Sequence, residues 1–218
     1  WRAGPLCASL SSGSAASDVF TGRTEGAVAP GARIRLVVGA LVFPGFDLLD
    51  LYGPLEMYAL AAECFEIRVV AETAGPVAGN GGPQATPDDL MSDGRAYDIL
   101  LIPGGPGTRR EIENTALIDW LRAAAGTARL VTSVCTGAAL LARASLLDGR
   151  KATTNKMAWA WATAQGPDVD WQAKARWVED GTFVTSSGVS AGIDMTLAVI
   201  ARLIDAETAE AVARAAEY

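Results

Sequence analysis

Cys135, Thr136, Asp50, Gly105, Pro106 and Asn155 are the residues of this 218-residue chain whose types and settings fit them for chemistry. Cys135 ends the run Arg129-Leu-Val-Thr-Ser-Val and precedes Thr136-Gly137-Ala-Ala-Leu-Leu-Ala, so an apolar β-type segment feeds straight into it and a small-residue helical segment follows. A side chain on such a strand-to-helix turn sits exposed on a tight bend, with the first N–H groups of the helix aimed at it. That setting predicts a lowered thiol pKa and a cradle for a developing anion. Outside it, a cysteine reads as a small buried hydrophobe.

Phe43-Pro-Gly-Phe-Asp47-Leu-Leu-Asp50-Leu-Tyr-Gly-Pro54 supplies two carboxylates. Asp47 reads first as a helix N-cap. Asp50 lies among Leu48, Leu49 and Leu51, and a carboxyl in apolar surroundings is partly desolvated. Desolvation raises its pKa and makes it a proton donor near neutral pH. Pro103-Gly104-Gly105-Pro106-Gly107 allows close approach of the backbone to a ligand. It lacks the lysine of a phosphate loop and the register of a dinucleotide fingerprint. Its expected part is an oxyanion hole shared with the N–H of Thr136, Pro106 removing one possible donor. Asn155 reads either as a substrate contact or as a helix cap, and Lys156 as positive charge near a thiolate. Trp159, Trp161, Trp171 and Trp177 read as packing residues, with one ring available to wall a pocket.

The chain contains no histidine. Within these residues a Cys-His dyad, a Ser-His-Asp triad and a His-ligated metal site are excluded, and proton transfer falls to carboxylates, hydroxyls, amines or water. No metal ligand set and no cofactor are expected. The cysteines, Cys7, Cys64 and Cys135, are odd in number and irregularly spaced, which argues against a disulfide framework and for a reducing, cytoplasmic setting. Cys64 reads as buried and structural. A net charge of -7 with no strongly basic stretch argues against nucleic-acid or anionic-membrane binding. No apolar run approaches the ~20 residues of a membrane span.

The elements that must position these residues alternate. Residues 1–32 are small and polar and are expected to form a disordered or loosely docked leader; residues 33–218 form one α/β domain. Strands are expected over Ile34–Phe43, Phe65–Ala71, Asp98–Pro103, Arg129–Val134 and Lys151–Thr154. Helices are expected over Leu48–Glu63, Arg110–Ala125, Gly137–Ala144 and Met157–Ala164. Gly75–Pro87 reads as a loop or short hairpin. Ala175–Glu179 and Thr182–Ser186 pair around Asp180-Gly181, Ser190 caps a helix over Ala191–Leu203, and a last helix starts near Ala206. Such alternation implies a mostly parallel sheet with helices on both faces. Ligands bind beyond the carboxyl ends of its strands, where the Asp47–Pro54, Pro103–Gly107 and Cys135-Thr136 segments all fall.

With those residues in view, the chain from about Arg33 to Tyr218 resembles the DJ-1/PfpI (ThiJ) superfamily, of class I glutamine amidotransferase-like fold, and within it the isocyanide hydratase branch. Leu49-Asp50-Leu51-Tyr52-Gly53-Pro54, Ile102-Pro-Gly-Gly105, Ser133-Val-Cys135-Thr136-Gly137 with Leu146-Leu-Asp-Gly-Arg-Lys-Ala-Thr-Thr154, and Ser187-Gly-Val-Ser-Ala-Gly-Ile-Asp194 carry the resemblance. It implies a flavodoxin-like, doubly wound fold, a homodimer, and a lyase that needs neither cofactor nor metal. By the same resemblance Cys135 attacks an isocyanide, Asp50 handles the proton, Thr136 orients water or substrate, and a thioimidate is hydrolysed to an N-substituted formamide. The branch commonly has His-Trp where this chain has Asn155-Lys156, which implies an altered pocket. Proteolytic members carry histidine where Thr136 stands, which disfavours a protease. A glyoxalase-like activity on small dicarbonyls and a non-enzymatic ligand-sensing domain remain open beside the hydratase.

Overall fold

Three short apolar runs, Leu36–Leu41, Ile99–Ile102 and Leu130–Val134, lie side by side as parallel strands with nearly every side chain buried. Burial on both faces is why each reads as an unbroken hydrophobic run rather than an alternation. The computed structural model describes residues 35–218; the expected leader lies outside the described residues.

In chain order the first half comprises β1 (Leu36–Leu41), α1 (Leu48–Ala59), β2 (Phe65–Ala71), β3 (Val77–Ala78), β4 (Gln84–Ala85), β5 (Asp89–Leu90), β6 (Ile99–Ile102), α2 (Thr108–Glu111) and α3 (Thr115–Ala125). The second half comprises β7 (Leu130–Val134), α4 (Gly137–Arg143), β8 (Lys151–Ala152), α5 (Trp159–Thr163), β9 (Asp170–Trp171), β10 (Trp177–Asp180), β11 (Phe183–Ser186), α6 (Ala191–Leu203) and α7 (Ala206–Ala215). The main sheet has seven strands in the order β10-β11-β7-β6-β1-β2-β5, and all its pairs are parallel except β10 with β11. The chain leaves β1 toward β2 and later returns to β6 on the other side, so the winding reverses between β1 and β6. Right-handed crossovers then place α1 and α3 on opposite faces. The helix contacts agree: α1 and α7 pack on α6, whereas α2, α3 and α5 pack on α4.

The expected doubly wound, mostly parallel sheet is therefore present. Gly75–Pro87 holds the small β3–β4 hairpin. Three details differ from the sequence expectation. The helix expected over Arg110–Ala125 is two helices, because the Asn114 side chain accepts from the Leu117 N–H and starts α3 afresh. Ser190 stands at the N-cap of α6 but makes no cap hydrogen bond, since it sits in helical rather than extended backbone. Asp47 occupies the N-cap of α1, also without a side-chain cap bond. Among the described residues, no helix is long and apolar enough to cross a membrane.

Candidate active site

β1, β6 and β7 end at one edge, at the point where the winding reverses, which is where open α/β sheets bind ligands. The segments leaving them carry Asp50, Gly104–Gly105 and Cys135. Cys135 has φ +59°, in the left-handed region that a non-glycine residue adopts only when its surroundings impose it. Those surroundings are visible. The Cys135 N–H donates to the carbonyls of Ser186 and Ser187, each at 3.2 Å, and its own carbonyl accepts from Thr154 Oγ1 at 2.8 Å. The strand-to-helix elbow read from the sequence is present, clamped at both ends.

The thiol itself differs from expectation. Cys135 is 4 % exposed, not open to solvent. Burial pushes its pKa up to about 12, and the charge of Asp50 adds to the rise. The Thr136 N–H and the Asn155 amide hydrogen-bond the sulfur and pull the other way without prevailing. The donors expected at the helix start are present, but desolvation is the larger effect. Asn155 does not cap α5, whose N-cap is Ala158, but its amide bonds in two directions. Nδ2 donates to Cys135 Sγ at 3.0 Å while Oδ1 accepts from the Ala158 N–H at 2.8 Å. Gly188 completes the wall: a Cβ there would lie 2.3 Å from Asn155 Nδ2 and 3.3 Å from Sγ, so only glycine lets the backbone pass so close.

Asp50 is fully buried in α1. Its pKa is raised to about 7, chiefly by burial and then by the charge of Asp47, against the opposing pull of the Cys135 thiol and the Gly104 amide. Pro54, one turn later, has no N–H to donate to the Asp50 carbonyl, so the helix is loosened where the carboxyl sits. Oδ2 accepts from the Gly104 N–H at 3.1 Å, and Oδ1 is buried with no hydrogen-bond partner among the described residues. The shifts of Asp50 and Cys135 express one constraint. Two negative charges this close and this buried do not coexist, so the pair retains a proton through neutral pH.

The glycine-rich turn serves differently from the oxyanion hole expected of it. The Gly104 N–H is committed to Asp50 and the Gly105 N–H to Thr136 Oγ1, at 3.0 Å. Pro106 is exposed and has no N–H. The turn therefore holds Asp50 and Thr136 in place. Gly105 has φ +123°, and a Cβ on it would meet the Asp47 N and the Gly45 carbonyl at 2.5 Å, so α1 and the turn touch through bare backbone. Lys156 donates to Thr153 Oγ1 and lies 4.8 Å over the Trp159 ring; both contacts direct it to the β8–α5 connection rather than to sulfur. Trp159 packs edge-on against Trp171. Among the described residues Cys135 is the free cysteine; Cys64 is buried and is not a free thiol. The expectation of a reducing setting, which rested on cysteines outside any disulfide, loses that support at Cys64. Sequence reasoning missed Thr108 and gave Thr154, though part of a motif it quoted, no role. Their signal was faint: threonines beside a predicted turn and strand, where burial cannot be read. A cleft of about 700 Å³ between the ends of β1 and β2 and α2–α3, lined by Phe43, Glu72, Arg110, Glu111 and Asn114 among others, includes none of these site residues.

Comparison with known proteins identifies the family. A sequence model described as the DJ-1/PfpI family matches residues 37–202. The chain is 35% identical over 185 residues to isonitrile hydratase of Pseudomonas putida, covering 85% of this chain and 79% of that protein. It is 28% identical over 166 residues to the HTH-type transcriptional regulator CdhR of Pseudomonas aeruginosa, covering 74% of this chain but only 49% of that protein. Its fold is similar to the crystal structure of a ThiJ/PfpI family protein from Pseudomonas syringae, with a TM-score of 0.78, 28% identity, and coverage of 89% of this chain and 82% of that one.

Proposed function

The chain belongs to the DJ-1/PfpI family, and from that premise we propose that it is a cysteine-dependent hydratase that converts an isocyanide to an N-substituted formamide without a cofactor. One observation carries the reading. A buried thiol and a buried carboxyl, one of whose oxygens has no partner among the described residues, meet beneath the nucleophile elbow, and burial raises the pKa of both. A hydratase has to move a proton and then admit water, and this pair supplies a nucleophile and a shuttle together.

The steps balance. Cys135 Sγ bonds to the isocyanide carbon as its proton passes through Asp50 to that carbon, giving a thioimidate. Water then adds to the same carbon, losing one proton through Asp50 while the imine nitrogen gains one. The C–S bond breaks as the new hydroxyl on that carbon gives its proton to sulfur and becomes the formamide carbonyl, which restores the thiol and releases the formamide. The Thr136 N–H and Asn155 Nδ2 stabilise negative charge on sulfur as it forms and departs. A homodimer located in the cytoplasm, with no nucleic-acid partner, belongs to the same proposal.

A second reading, a ligand-sensing domain, is supported by the similarity to CdhR. A panel of one alkyl isocyanide, one aryl isocyanide and methylglyoxal, run with Cys135→Ala and Asp50→Asn, separates the possibilities. Formamide formation lost in Cys135→Ala, and reduced by a factor on the order of 100 or more in Asp50→Asn, is the expected result. Turnover surviving in Cys135→Ala removes every thiol mechanism. Consumption of methylglyoxal alone moves the chain to the glyoxalase-like class, and no turnover at all leaves the sensor reading.

A further inference from the structure

We infer that Thr108 is a positioning residue: it makes Thr136 a hydrogen-bond acceptor on the side of the turn that faces Asp50. Thr108 begins α2 and is fully buried. Its Oγ1 lies 2.7 Å from the Gly105 carbonyl and 3.1 Å from Thr136 Oγ1. Thr136 Oγ1 in turn accepts from the Gly105 N–H at 3.0 Å and lies 3.3 Å from the Gly105 carbonyl.

Two hydroxyls bring two protons. The 2.7 Å contact has the usual length of an O–H···O bond and takes the Thr108 proton to the Gly105 carbonyl. The lone pairs of Thr108 then receive the Thr136 proton across 3.1 Å. If that proton turns to the Gly105 carbonyl instead, it still stays inside the turn. What Thr136 retains for the site is a lone pair. Its oxygen lies on the same side of the turn as Asp50: a Cβ on Gly104 would stand 2.7 Å from Thr136 Oγ1 and 2.9 Å from Asp50 Oδ2. Asp50 Oδ1 adds a second acceptor, buried and unpartnered. A water donating one proton to each of these acceptors would keep its lone pairs for the carbon bound to Cys135. Without the Thr108 hydroxyl, the Thr136 proton keeps only the long 3.3 Å contact to the Gly105 carbonyl, and turning outward competes with it and disturbs that arrangement. The role assigned to the water rests on the hydratase reading; the acceptor state of Thr136 does not.

The test uses Thr108→Val, Thr108→Ser and Thr136→Val, each checked for folding by thermal unfolding, with Thr108→Ala in reserve if the valine variant is unfolded. The first readout needs no substrate: the pH dependence of Cys135 alkylation by iodoacetamide. In Thr108→Val the released Thr136 proton favours the anionic form of the thiol–carboxyl pair, so the profile moves to lower pH. Thr108→Ser keeps the wild-type profile. In a Thr136→Val background, Thr108→Val adds nothing. The second readout is hydration of an aryl isocyanide. Thr108→Val is expected to lower kcat on the order of tenfold with KM little changed, and to accumulate a Cys135 adduct in acid-quenched mass spectra. A Thr108→Val profile that superposes on wild type, or a Thr108→Ser variant that behaves like the valine, overturns the inference. If the wild-type protein hydrates no isocyanide, the hydratase reading falls, and the alkylation profiles still decide the role of Thr108.

Discussion

Asp50 shows how far burial alone can set chemistry. An exposed aspartate ionises near pH 3.9, so at neutrality it is a base and never a donor. Folding buries this one fully, against Gly104 and Cys135 and near Asp47, and its pKa climbs to about 7. The same shift has a consequence for stability. The native state holds the proton more tightly than the unfolded chain does. Its contribution is therefore complete below about pH 4, declines as pH rises, and is lost above about pH 7. Asn at position 50 is neutral at every pH and keeps an oxygen for the Gly104 N–H. Asp50→Asn is accordingly expected to match wild type in thermal stability at low pH. Its advantage should grow between about pH 4 and pH 7 to a few kcal/mol, then level off. A stability difference independent of pH would show that the buried carboxyl is not the titrating group.

At the scale of elements, the site depends on short pieces ending where they do. The break between α2 and α3 is set by Asn114. Its Oδ1 caps α3, while its Nδ2 donates to Glu72 at 2.7 Å and to Glu111 at 2.9 Å. Glu111 is almost fully buried and is also paired with Arg110. Asn114→Ala removes the cap and one donor to a buried carboxylate, and is expected to destabilise the fold by about 1–3 kcal/mol in urea unfolding. Asn114→Asp is the sharper variant. Aspartate caps helices as well as asparagine does, yet here it sets a third carboxylate against two others. It should therefore be no better than alanine, and wild-type stability in Asn114→Asp would mean that the cap alone matters. α1 follows the same logic. Pro54 and Gly53 weaken a helix locally, and they sit within one turn of the carboxyl that must lie against the nucleophile turn.

Across the whole molecule, the reversal of winding between β1 and β6 is what gathers segments from positions 50, 104 and 135 of the chain. The sheet that holds them is rigid because its central strands are packed on both faces. Leu101, fully buried in β6, pairs with Ala40 of β1 on one side and Thr132 of β7 on the other. Leu101→Ala is expected to cost about 2–5 kcal/mol, seen as a lower urea midpoint with an unchanged m value. The local sequence determined the strand cores, the elbow at Cys135, the β10–β11 hairpin, though its two-residue loop is Gly181-Thr182 rather than Asp180-Gly181, and the sheet edge to which the candidate residues lead, because periodicity and turn chemistry are properties of neighbouring residues. The importance of Asp50 was legible too, since a carboxylate among leucines is costly wherever the chain goes. The tertiary structure alone decided the rest. The raised thiol pKa, the commitment of the Gly104 and Gly105 amides, the double use of Asn155 and the pairing of Thr108 with Thr136 all depend on what folding brings from distant parts of the chain. Desolvation and hydrogen-bond partnership are set by three-dimensional neighbours, and no spacing along the sequence encodes them.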